Sequence, residues 1–303
     1  MMLRPAKKRS GYRAFQKRSG YRALQKRSGY GAFLLFAIVH LLIFGADWLA
    51  PVEPHVQDRT AASSPPSLER SEAGYLHPLG TDRFGRDLLS RLLHGARLSI
   101  IAGWMAAGLA ILLGTALGAL AGYRGGFIDV LLMRLSELTL SLPWLYLLLG
   151  VRAMLPLETP PQTTLLILVA LIGLLAWAGP ARLVRGVTAA ARHADFVTAA
   201  RGFGTSEWHI LRRHVLPQTF SIALTQLALL IPACIVAEVM LSFFGLGAAE
   251  PRASLGSLLA ATQDLSAVSL RPWLLSPIVA LGLLVLSYHQ VAQALQTREV
   301  GRS

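Results

Sequence analysis

The sequence predicts an all-α polytopic membrane protein: six transmembrane helices with a helix–turn–helix loop on the cytoplasmic side. Three observations carry that prediction. Of 303 residues, 53% are hydrophobic and only 15% charged, whereas a soluble domain carries about 25% charged residues. The apolar residues are gathered into six blocks, and about 20 residues at 1.5 Å rise are enough to cross about 30 Å of hydrocarbon. Lys and Arg are unequally shared between the segments that join those blocks, as the positive-inside rule requires.

The net charge of +13 is concentrated at the start: ten of the 29 Lys and Arg lie in the first 27 residues. Residues 7–33 form a nine-residue tandem repeat, KKRSGYRAF, QKRSGYRAL and QKRSGYGAF. Repeats this short cannot share a core as a solenoid does. A basic segment ahead of an apolar block is the pattern of a cytoplasmic flank facing anionic lipid, so residues 1–31 read as a basic tail on the bilayer and not as a nucleic-acid-binding arm.

The apolar blocks are residues 32–49, 98–122, 130–151, 164–181, 220–239 and 273–291. The first has a basic flank like a signal peptide, but Trp48 stands where a small residue is needed for cleavage after Ala50, so it reads as a retained span. With the N-terminus inside, inner segments hold 19 Lys and Arg and outer segments nine. Both termini are therefore expected in the cytoplasm, with residues 292–303 as the C-terminal tail.

The outer loop, residues 50–97, begins Ser/Pro/Glu-rich and reads as linker. Its second half, HPLGTDRFGRDLLSRLLHGARLS, repeats Leu88, Leu89, Leu92 and Leu93 at helical spacing. That predicts a helix lying in the outer interface with its leucines down. The five-helix core then runs from 98 to 291 and includes the polar loop 195–217.

That loop is unusual between two spans. A short helix-forming run follows Asp195, Gly202 and Gly204 break it, and Thr205 or Ser206 can cap a second helix. Pro217 is expected to end that helix before the next span. Ala199 and Ala200 offer a close-approach surface, Trp208, Ile210 and Leu211 an apolar one, and Arg212, Arg213 and His214 charge. Such a mixture suits a docking knob for a soluble partner, or an ordinary solvated loop.

Elsewhere, Gly114, Gly118 and Gly122 recur every fourth residue, a spacing that lets helices approach closely, either within this chain or at a seam with a second subunit. Arg134 and Glu137 stand at i and i+3 within a span, placed to pair structurally or to meet substrate. Glu238, near Pro232, is either a pathway-lining carboxylate or a solvated one at the mouth. Cys234 is the only cysteine, so there is no intrachain disulfide. No phosphate-binding loop and no His-Glu-X-X-His metal motif occurs in the sequence. No buried nucleophile or metal set supports an intramembrane enzyme, and no inverted repeat supports a stand-alone secondary transporter.

Residues 198–217 resemble the EAA loop of permease subunits of ATP-binding-cassette importers. Thr198, Ala199, Ala200, Gly204, His214, Leu216 and Pro217 occupy the motif positions; Thr198 replaces its Glu and His214 its Ile. Residues 77–99 and 237–259 are similar to segments of the second permease type in dipeptide, oligopeptide and nickel importers, with Leu255 where that branch usually has Trp. The resemblance implies a type I importer permease fold and a heterodimer with a homologous permease. It further implies two ATPase subunits that bind the ATP, an extracytoplasmic solute-binding protein, no cofactor on this chain and no catalytic residue. Di- or oligopeptides are the implied substrates, with nickel or another small solute as the alternative.

Overall fold

The computed structural model describes residues 30–154, 160–247 and 252–300. Most of the basic repeat and the last three residues lie outside the described residues. Helices dominate because a segment in hydrocarbon must satisfy every backbone N–H and C=O internally. Among the described residues, three helices are long and apolar enough to cross a membrane by themselves, and two bent pairs raise that number to as many as five.

The first apolar block is not one helix. Helix α1 (Tyr30–Phe44) breaks at Gly45 and resumes as α2 (Ala46–Leu49). A Cβ on Gly45 would stand 2.7 Å from the carbonyl oxygen of Leu41. Within the described residues α1 is about 22 Å long at 1.5 Å per residue, short of a full crossing. It is fastened by a relay of polar groups. Trp104 Nε1 donates to the Tyr288 hydroxyl at 2.5 Å, and that hydroxyl meets His40 Nε2 at 2.9 Å. His40 Nδ1 lies 2.8 Å from the carbonyl of Phe36. The relay is satisfied throughout when Nδ1 carries the imidazole proton, Nε2 accepts from Tyr288, and the indole, a donor only, feeds the phenol oxygen.

Residues 50–87 fold into a compact cap. Strands β1 (Ser67–Arg70) and β2 (Leu76–His77) pair antiparallel. His77 is buried between two buried aspartates, with Nδ1 3.1 Å from Asp87 Oδ1 and Nε2 3.5 Å from Asp58 Oδ2. Burial alone would raise the Asp58 carboxyl. The hydroxyls of Ser71 and Thr60, His77 and the Thr60 N–H overcome this and hold it at about 2. Gly85 is required here: its φ is +76°, and a Cβ would stand 1.9 Å from the carbonyl oxygen of Asp58.

The interfacial helix expected from the Leu88–Leu93 pattern is instead the start of α3 (Leu88–Arg124), 37 residues without a break. Asp87 caps it, accepting from the Ser90 N–H at 2.7 Å. Leu88, Leu92 and Leu93 are buried in the bundle and not laid on lipid. The apolar stripe was real, but protein covers it: α3 lies at the centre and packs against α6, α7 and α10.

The third block bends. Helices α4 (Gly126–Ser141) and α5 (Trp144–Ala153) meet at 86°. Pro143 excludes the helical conformation from the residue before it, and Leu142 is extended, with φ −74° and ψ 139°. Helices α6 (Pro161–Ala176) and α7 (Ala178–Arg192) form a second bent pair, at 41°. A short polar excursion follows, α8 (Asp195–Gly202) and α9 (Glu207–Ile210), and then α10 (Leu216–Phe243). Helix α11 (Leu255–Ala260) packs against α3 and α10, and α12 (Leu265–Leu270) follows it. Trp273 Nε1 donates to the Thr81 carbonyl of the cap at 3.3 Å, and α13 (Ser276–Val300) closes the bundle. The main core joins α3, α6, α10, α11 and α13.

Candidate functional site

The excursion between α7 and α10 forms a knob at the Arg124 end of α3. Its turn is built on Gly204, whose φ is +75°. That region costs L-residues roughly 1–2 kcal/mol, and no atom lies within 4 Å of a Cβ there, so the backbone and not space demands glycine. Ser206 caps α9, its hydroxyl accepting from the His209 N–H at 3.4 Å. Phe203, 90% exposed, and Trp208, 67% exposed, flank the turn.

Pro217 does not end the second helix. The chain runs as one helical rod from Glu207 to Phe243, through a π turn at Leu211–Val215. In an unbroken α-helix residue 217 would donate to the carbonyl of residue 213, which a proline ring cannot do and against which it clashes. The π turn resolves this by widening one turn: the Leu216 N–H reaches back five residues to the Leu211 carbonyl. Such one-turn bulges are rare and concentrate at functional sites.

A small core holds the knob down. Val197, Ile210 and Val215 are fully buried with Ala191, and Tyr123, Ala200 and Leu211 pack against them. Burying each branched side chain contributes about 1.5–3 kcal/mol. A polar clamp then fixes its orientation. The Tyr123 hydroxyl at the end of α3 donates to the Glu207 carboxylate, and Arg201 Nε reaches the other carboxylate oxygen at 2.8 Å. Arg192 Nη1 donates to the Arg124 carbonyl at 3.0 Å. Sequence reasoning missed this clamp, since nothing in local spacing links Tyr123 to a residue 84 positions away.

The motif residues fall on this knob. Thr198 and Ala199 are exposed on α8, while Ala200 packs inward. Arg212, Arg213, His214 and Pro217 are exposed along the π turn and the start of α10, and Leu216 is half-buried. Ser206, Trp208, His209, Arg212, Arg213 and Pro217 line a groove of about 640 Å³. The surface is therefore basic and aromatic, projecting, and continuous with a membrane-length helix.

The other expected residues lie elsewhere. A Cβ on Gly114, Gly118 or Gly122 would meet Pro180, Ala181 or Arg185 of α7 at 2.4–2.7 Å. These glycines pack within the chain and are not the seam with a second subunit. Arg134 and Glu137 pair at 2.9 Å on an exposed face of α4. Glu238 is fully buried, so it is neither a solvated carboxylate at the mouth nor open to a pathway in this conformation. It accepts from the Ser242 hydroxyl at 2.6 Å, with the hydroxyls of Ser99 and Ser254 around it, where α3, α10 and α11 meet. Among the described residues no group of three or more His, Cys, Asp or Glu is arranged to hold a metal ion.

Comparison with known proteins gives these features a family. A family profile described as the inner membrane component of binding-protein-dependent transport systems matches residues 114–300. The dipeptide transport system permease protein DppC of Bacillus subtilis is 36% identical over 226 residues, 75% of this chain and 66% of that protein. The oligopeptide transport system permease protein OppC of Haemophilus influenzae is 35% identical over 242 residues, 80% of this chain and 74% of that protein. The di/tripeptide transport system permease protein DppC of Pseudomonas aeruginosa is 36% identical over 235 residues, 77% and 75% of the two chains. A helical membrane bundle, matched over most of its length by such permeases, belongs to the family of inner-membrane permease components of binding-protein-dependent ABC importers.

Proposed function

We propose that this chain forms half of a translocation pathway for di- or oligopeptides, and that the knob at residues 195–217 is the surface on which an ATPase subunit docks. The names of the relatives support the substrate class. The observation that carries the coupling role is mechanical. Docked at Phe203, Trp208 and the Arg212–Arg213 pair, an ATPase would grip a rod that runs unbroken from Glu207 into the centre of the bundle. Its movement would reach the buried Glu238 region along one continuous helix, through the π turn and past Pro232. This chain binds no ATP and catalyses no reaction; two partner ATPases supply the energy.

In this reading α1 is the first of six spans and both termini are cytoplasmic. The cap 50–87 then faces outward, where a solute-binding protein delivers peptide. A homologous permease completes the pathway as a heterodimer. The charge asymmetry supports the orientation, and the exposed apolar residues along α4 and α5 leave area for a second subunit and for lipid.

The test is Gly204→Val together with a charge-reversed Arg212→Glu/Arg213→Glu variant. The valine is strained at φ +75° by roughly 1–2 kcal/mol or more and re-aims the turn, while the spans keep their internal hydrogen bonds. Both variants should insert in the membrane, yet lose co-purification of the ATPase or uncouple its hydrolysis from peptide uptake in proteoliposomes. Normal assembly and uptake in both would show that the knob is not the coupler.

A further inference from the structure

At the opposite end of the bundle, the cap, the start of α3 and the α11–α12 segment enclose a cleft of about 590 Å³. This is within the size range of small-molecule sites. Its charge is unusual. Four arginines line it, Arg83, Arg86, Arg91 and Arg271, against two carboxylates, Asp82 and Asp264.

Both carboxylates are already engaged. Asp82 accepts from the Phe84 and Arg86 N–H groups at 2.8 and 3.0 Å and from Arg86 Nε at 2.7 Å. Asp264 caps α12, accepting from the Ser266 and Ala267 N–H groups at 3.0 and 3.1 Å and from the Ser266 hydroxyl at 2.6 Å. Among the described residues no carboxylate lies within ion-pair distance of Arg83 or Arg271, although the Arg271 charge acts through space on Asp264, whose carboxyl is held below its usual range chiefly by the Ser266 hydroxyl; Arg83 stacks on the Phe84 ring at 4.6 Å. Two guanidinium groups on different segments thus border one concave site with unused donors. Guanidinium groups bind carboxylates through paired N–H donors. The remaining lining mixes Gln57, Ser257 and Gln263 with an apolar wall that includes Leu88, Leu258, Leu274 and Ala267.

We infer that this cleft binds the terminal carboxylate and last side chain of the transported peptide, with Arg83 and Arg271 holding the carboxylate and the apolar wall taking the side chain. The inference rests on the outward orientation and peptide specificity proposed above. It makes the cap a receiving site of the permease itself, used after release from the delivering protein.

The test titrates the assembled transporter, in nanodiscs and without its binding protein, with Ala-Leu and with Ala-Leu amide by calorimetry. Arg83→Gln and Arg271→Gln should each weaken Ala-Leu roughly tenfold, the equivalent of one charged hydrogen bond. Affinity for the amide, already low, should not change. Equal affinity of wild type for acid and amide would overturn the inference, as would variants that affect both alike. A second arm measures binding of the solute-binding protein to the same nanodiscs. If the arginines instead received an acidic side chain of that protein, the variants would weaken this association and leave the dipeptide titration unmoved, which would also overturn it. Failure of the wild type to take up any peptide would count against the transport reading alone, because the titration requires no transport.

Discussion

The α3–α7 contact turns on three glycines, and Gly118→Ala measures what they do. A Cβ at residue 118 would stand 2.4 Å from the Ala181 carbonyl oxygen, where ordinary contact begins at 3.4 Å. The helices must therefore part by about 1 Å, and backbone on both sides leaves no flexible side chain to give way. Overpacking of this kind costs about 1–3 kcal/mol. Replacing a helical glycine returns up to about 1 kcal/mol of propensity, so the control is Gly108→Ala on the same helix, with nothing within 4 Å of its Cβ. The two variants should differ by roughly 1–3 kcal/mol, or about 2–10 °C in unfolding temperature for a chain of this order of size. Scanning fluorimetry of the full chain in nanodiscs reads the difference directly. Equal unfolding temperatures, combined with weaker association with a second permease, would refute the intrachain packing and return these glycines to a subunit seam.

Two further outcomes follow from the polar clusters. Asp58 is held at about 2, below its ordinary 3.8. Its contribution to the cap, roughly 2 kcal/mol by linkage, is therefore complete above about pH 4 and disappears as pH falls towards 2. Asp58→Asn should remove it at neutral pH, seen as faster hydrogen exchange across residues 58–87, whereas unchanged exchange would exclude the anchor. Tyr123→Phe deletes the hydroxyl that reaches Glu207 and should loosen the knob by about 1 kcal/mol. Exchange should then quicken at residues 195–215 but not in α3, and identical protection there would leave the apolar contacts as the only fastening.

Several features were legible in the sequence because their cause is local. The apolar blocks follow from hydrocarbon thickness, although among the described residues only three lie in single helices of membrane length; the Gly202–Ser206 break and its cap follow from backbone preference and side-chain chemistry. Features that depend on remote contacts were not legible. The periodicity of Leu88, Leu92 and Leu93 identified an apolar face but could not say whether lipid or the rest of the protein would cover it. The spacing of Gly114, Gly118 and Gly122 announced a close approach without naming Pro180 and Ala181. Glu238 carries no local mark of burial: Ser242 lies one turn on along its own helix, but Ser99 of α3 and Ser254 at the start of α11 come from remote parts of the chain. Pro217 was misread for a different reason: a proline stops an α-helix, but one wide turn ahead of it removes the carbonyl it would strike.

That wide turn has a consequence for azimuth. A helix advances about 100° per residue, so the additional residue in Leu211–Val215 turns α9 by about that angle relative to a regular continuation of α10. Trp208 and the Ser206 cap therefore face a side that no uninterrupted helix of the same sequence length would present. Removing one residue here would shorten no span and bury no charge, yet it would swing the knob a quarter-turn around the rod. Length within residues 211–215 is thus fixed by direction and not by reach, unlike most polar connections between membrane helices.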